Sequence, residues 1–212
     1  MKKFLGGTAS GICAGLAVLI GCAVYLASGN KYVGAALFSV ALLSICLLGF
    51  SLYTGKIGFI PEKHDKEAFR VLLSGLLGNA IGAIGGGYAL GYAIPALKTA
   101  AQELCSGKLA NQSFAQTLVR GIFCGILMYL AVRIFRDNKN IAGILFCIPV
   151  FILSGFEHSI ADIGYFAIDG RVSTEALGFV WTVILGNSLG SMLFPALTLP
   201  FRLRENPGNS GK

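Results

Sequence analysis

The run Gly155-Phe156-Glu157-His158-Ser159-Ile160-Ala161-Asp162 sets two carboxylates and an imidazole close together inside an otherwise apolar segment. Imidazole changes charge near pH ~6.5 and can give or take a proton under physiological conditions. In a helical turn Glu157 points about 100° away from His158, whereas Asp162, four residues on, shares its face. Glu157 is expected to accept from backbone N–H groups freed at a helix break, with a proton relay as the other reading. Asp162 either tunes the imidazole or sits at a solvated mouth. In a soluble domain His158 would read as a satisfied core histidine. Inside a membrane an ionisable residue is a functional candidate by default.

A membrane is what the rest of the sequence implies. Of the 212 residues 55% are hydrophobic and 13% charged, against roughly 25% charged in soluble domains. Stretches 4–30, 32–55, 71–97, 121–132, 140–156 and 176–201 contain no Asp, Glu, Lys or Arg. About 20 helical residues cross a hydrocarbon core, so four of these suffice alone. The fourth extends back through Ser113, taking in Arg120, and the fifth continues through the Glu157–Asp162 run to Ile168. Six spans are expected, in a single domain over 1–212 with a short cytoplasmic tail at 202–212. Met1-Lys2-Lys3 before an apolar run, with Cys22 in a lipoprotein-like box, could open a signal peptide. The apolar run continues past Cys22, and the first segment reads as a retained span. The six cysteines form no C-x-x-C pair and read as packing residues.

The formal charge of +7 follows topology and gives no indication of nucleic acid. Lys2, Lys3, Lys56, Lys63, Lys66, Arg70, Arg133, Arg136, Lys139, Arg202, Arg204 and Lys212 fall at alternate span ends. Both termini are then cytoplasmic, and loops at Lys31, 97–112 and 169–175 face outward. Arg120, near an outer end, is expected to snorkel to headgroups in preference to attracting anions into a vestibule.

The segment Leu77-Gly78-Asn79-Ala80-Ile81-Gly82 returns as Leu185-Gly186-Asn187-Ser188-Leu189-Gly190. Gly49-Phe50 before Ile57-Gly58 likewise returns as Gly155-Phe156 before Ile163-Gly164. Spans one to three therefore read as duplicated in four to six, approximately 4–97 and 113–201. Three spans per copy invert the second copy. Such folds place ligand sites at interrupted helices near the midplane, here predicted at Tyr53-Thr54-Gly55 and around Glu157-His158-Ser159. The glycines are read as close packing. Asn79 and Asn187 either cap the interrupted helices or line a pore.

With these segments in view, the sequence resembles the formate/nitrite transporter family, whose hallmark is the Gly-Phe-Glu-His-Ser-Ile-Ala run. The likeness extends through Ile148-Pro149-Val150-Phe151, Cys124–Val132, Phe38–Thr54 and both Gly-Asn-x-x-Gly segments. It implies an all-α, aquaporin-like protomer, a homopentamer, and a pore in each protomer for small monovalent weak-acid anions or their conjugate acids. It further implies His158 as the central pore histidine and Thr54 facing it from the second span. Phe38, Leu42, Tyr53 and Phe151 would form hydrophobic slits, and Lys108 an outer-vestibule lysine. Asp162 stands where the family more often has asparagine.

A channel or transporter is therefore expected, possessing no enzymatic activity and no cofactor, in the inner membrane of a bacterium. A neutral-solute channel lacks the Asn-Pro-Ala pair it would need. An intramembrane metalloenzyme has no H-E-x-x-H, and His64 lies in a cytoplasmic loop.

Overall fold

The computed structural model describes residues 2–63 and 66–205, all helix and connecting turns with no strand among them. His64 lies outside the described residues. The order is α1 Lys2–Ala27, α2 Lys31–Leu48, α3 Tyr53–Lys56, a 3-10 turn Ile57–Phe59, α4 Ile60–Lys63, α5 Lys66–Ala93 and α6 Pro95–Asn111. There follow α7 Phe114–Asn138, α8 Ala142–Leu153, α9 Ser159–Asp169 and α10 Thr174–Glu205.

Phe4–Ala27, Lys31–Leu48, Lys66–Ala93, Phe114–Asn138 and Thr174–Thr198 are each long and apolar enough to cross a membrane. The remaining apolar stretch of the six counted is two shorter helices, α8 and α9. Large apolar side chains stand on the outer surface, among them Leu47, Phe146, Trp181 and Leu197. A hydrocarbon or protein surround accounts for such exposure, and water does not.

Two helix pairs form the frame, and both use glycine for close approach. A Cβ at Gly78 in α5 would meet Gly11 Cα of α1 at 2.9 Å, and one at Gly186 in α10 would meet Gly121 Cα of α7 at 2.9 Å. Gly82 against Ile12 and Gly190 against Ile122 repeat the contact one turn on. Small residues on both partners let the backbones pack directly.

The chain departs from expectation in two places. Residues 97–112, read as an outer loop, are mostly helix α6, whose buried Leu97, Ala101 and Cys105 recur at helical spacing. The first interruption also falls earlier than Tyr53. Helix α2 stops at Leu48, Gly49 adopts φ 73° as the left-handed C-cap, and α3 already begins at Tyr53. Glycine takes that conformation without the Cβ penalty, so the stop belongs to Gly49. Between α8 and α9 the non-helical residues are 154–158, with Gly155 at φ 70°.

Candidate functional site

Two fully buried asparagines hold the linkers that interrupt the helical path. Asn79 Oδ1 accepts from Tyr53 N at 2.8 Å, while its Nδ2 donates to Gly11 O at 2.9 Å and Ser51 O at 2.8 Å. Asn187 repeats the set: Oδ1 accepts from Ser159 N at 2.9 Å, and Nδ2 donates to Gly121 O and Glu157 O, both at 2.9 Å. Each carboxamide thus satisfies the first N–H of a helix and the last carbonyl but one before it, groups a helix terminus leaves unpaired. Neither asparagine is on the lining of the two cavities that border His158 and Gly55.

His158 is held at the head of α9. As the N-cap residue its Nδ1 accepts from Ala161 N at 3.2 Å. With Nδ1 accepting, the ring proton resides on Nε2, which donates to Thr54 Oγ1 at 2.9 Å. Having accepted, the Thr54 hydroxyl keeps its own proton to donate. Both side chains are buried.

Two cavities lie close to this pair. A cavity of about 430 Å³ is lined by Phe38, Phe151, Lys108, Glu157, His158 and Asp162 among others. A second, of about 570 Å³, is lined by Leu42, Leu52, Gly55, Lys56, Arg136 and Lys139 among others. Phe151 stacks on the His158 ring with centroids 5.8 Å apart, and Phe38 meets Phe151 edge-on at 6.1 Å. Leu42, one turn beyond Phe38 on α2, belongs to the other cavity. Tyr53 lines neither. It packs with Ile57 and Leu72, and its hydroxyl lies 2.8 Å from Ser188 Oγ.

Lys108 gathers the acidic residues. Its Nζ donates to Glu157 Oε2 and lies 3.0 Å from Asp162 Oδ1, above the rings of Tyr165 and Phe179. Gln112 Nε2 donates to the other Glu157 oxygen at 2.6 Å. Glu157 therefore finds side-chain donors from α6 and its end, where backbone N–H groups were expected; Asn187 has already taken the nearby backbone donor, Ser159 N. Arg120 lies on the cavity lining and donates to Gly155 O at 3.5 Å. Gln112 and the two rings about Lys108 were not anticipated. The apolar spacing Leu97, Ala101, Cys105 carries one further turn to Lys108 and was the signal available. Among the described residues no three His, Cys, Asp or Glu side chains gather to hold a metal.

The model of a family described as formate/nitrite transporter matches residues 1–201. The formate-nitrite transporter of Plasmodium ovale is 27% identical over 96% of this chain and 76% of its own. The nitrite transporter NirC of Salmonella typhimurium is 26% identical over 91% and 81%. The probable formate transporter of Methanothermobacter thermautotrophicus is 29% identical over 81% and 75%. Among solved structures, a pentameric formate channel with formate bound superposes with a TM-score of 0.81 at 20% identity, covering 96% of this chain and 98% of that one.

Proposed function

The chain belongs to the formate/nitrite transporter family, proteins that move small anions across membranes and are not enzymes, and from that premise we propose a pore for small monovalent weak-acid anions or their conjugate acids. The observation that carries this reading is the buried bond between Thr54 and His158, with one cavity reaching His158 and another reaching Gly55 beside Thr54.

The proposed path enters the cavity at Lys108, passes Phe38 and Phe151, crosses at Thr54 and His158, and leaves past Leu42. A bare anion at the bilayer centre is costly. A weak acid avoids that cost by taking a proton before the apolar constriction. The Thr54 hydroxyl, held by the His158 N–H, is free to donate to the passing oxygen or sulfur and polarise it. Formate, nitrite and hydrosulfide are the candidate substrates.

The proposed architecture is one domain of six spans in two inverted repeats, approximately 4–97 and 113–201, with the second and fifth spans interrupted at 49–52 and 154–158. Matching asparagine bonds and matching glycine contacts support it. Both termini and the 202–212 tail face the cytoplasm, as the positive-inside pattern requires, and the Lys108 cavity faces outward. The protomers assemble as a homopentamer in the inner membrane of a bacterium. Uptake of formate, nitrite, hydrosulfide and chloride into proteoliposomes tests the reading; fluxes equal to those of empty vesicles for every weak acid would refute it.

A further inference from the structure

Lys108 is one ammonium facing two carboxylates. Glu157 has both oxygens bonded, one by Lys108 and one by Gln112. Asp162 has Oδ1 on Lys108 but leaves Oδ2 buried with no partner, on a side chain that is 1% exposed and borders the cavity. An uncompensated carboxylate oxygen in such a place is unfavourable unless the group carries a proton or meets a donor.

The charges around the cavity point the same way. From α6 come Lys108 and Glu103, from α7 Arg120, and from the α8–α9 linker and α9 Glu157, His158, Asp162 and Tyr165. Tyr25 of α1 completes the titratable lining, and the thiols of Cys22, Cys105 and Cys124 are buried close behind it. Asp169 pairs with Arg171 at the far end of α9, and Arg171 also donates to Ser106 Oγ. With all carboxylates ionised and His158 neutral, two positive groups meet three negative ones. Without the Asp162 charge the sum is zero.

We propose that Asp162 determines specificity in this pore: it holds a proton on its unpartnered oxygen and hands that proton to those anions able to accept it. The proposal rests on the transport reading above and adds its selectivity. A weak-acid anion reaching the cluster takes that proton onto its own oxygen or sulfur and proceeds neutral, leaving the cluster one negative charge richer. A proton from bulk solvent on the open side returns to Asp162, so each cycle carries one anion and one proton inward together. An anion of a strong acid, such as chloride or nitrate, cannot accept the proton and has no neutral form in which to pass the apolar rings of Phe38 and Phe151. Rising pH empties the cluster, so wild-type flux of weak acids falls.

The test combines a spectrum and a flux. Infrared spectra of the assembled protein at neutral pH are expected to contain the carbonyl band of a buried protonated carboxylic acid, bleached on alkalinisation and lost in Asp162→Asn. In proteoliposomes the same variant, which has no proton to give, is expected to lower formate flux severalfold relative to chloride and nitrate and to flatten the alkaline fall of formate flux. Absence of the band from wild type, its persistence in the variant, or an unchanged chloride-to-formate ratio would overturn the proposal. Wild type that moves no weak acid would instead defeat the transport reading, while the band, read without transport, reports the Asp162 proton alone. Should the variant fail to assemble, the wild-type band and its alkaline bleaching decide the matter.

Discussion

Thr54 Oγ1 lies 2.9 Å from His158 Nε2, although 104 residues separate them in sequence. The bond joins the first turn of α3 to the head of α9, with His158 on the lining of one cavity and Gly55, next to Thr54, on the lining of the other. Thr54→Val keeps the shape and removes the acceptor, leaving a buried N–H unpaired at a cost of about 1–3 kcal/mol. Lower thermal stability in detergent and slower weak-acid uptake are expected, with both retained in Thr54→Ser. Full flux in Thr54→Val would remove the hydroxyl from the path.

Asn79 and Asn187 each tie the linker of an interrupted segment to the first residue of the helix that follows it. Asn79→Leu or Asn187→Leu strands one N–H and one linker carbonyl and removes a further bond to a helical carbonyl, and each is expected to cost about 3 kcal/mol or more. Thermal midpoints and yield of assembled protein measure it. A midpoint within error of wild type for either variant would show that water or relaxed backbone replaces the clasp.

Glycines that look alike in the sequence separate in the structure. A Cβ at Gly190 would run into Ile122 O, whereas one at Gly85 meets nothing within 4 Å. Gly190→Ala is expected to destabilise by about 1–3 kcal/mol through forced separation of α7 and α10. Gly85→Ala is expected to be neutral or to gain up to about 1 kcal/mol from helix propensity. Equal midpoints for the two variants would contradict the close packing of that helix pair.

Removal of Lys108 tests the buried charge cluster. Lys108→Met leaves Glu157 and Asp162, which are 4% and 1% exposed, without their shared cation, a loss of about 3–5 kcal/mol when one partner of a buried pair is deleted. Combining Lys108→Met with Glu157→Gln and Asp162→Asn is expected to recover most of that stability, because the cluster then holds no charge. Chemical or thermal denaturation of the two proteins gives the comparison, and a triple variant no more stable than the single one would assign the loss to packing about the lysine stem.

The most readable parts of the sequence were those with a local chemical signature. Glu157, His158 and Asp162 stand out because charge is rare in an apolar segment, and the twin asparagines stand out because their flanking glycines repeat. The α2 stop was misplaced to Tyr53, although Gly49 carried the signal: a glycine after an apolar helical run is the ordinary C-cap. Helix α6 was hidden because Lys98, Glu103 and Lys108 break any search for charge-free spans; its buried face is only a stripe of one residue per turn. That Glu157 would be met by Lys108 and Gln112 depends on how α6 folds back over the α8–α9 linker, and no local pattern encodes that contact.

The most direct measurement is stopped-flow uptake of formate, nitrite and hydrosulfide into proteoliposomes across a pH series, wild type beside His158→Ala, with assembly checked for both. The account predicts weak-acid flux through wild type that falls as pH rises, and a variant in which that flux is lost or its pH dependence reshaped. Flux that is indistinguishable between the two proteins at every pH would contradict a crossing point at His158 and Thr54.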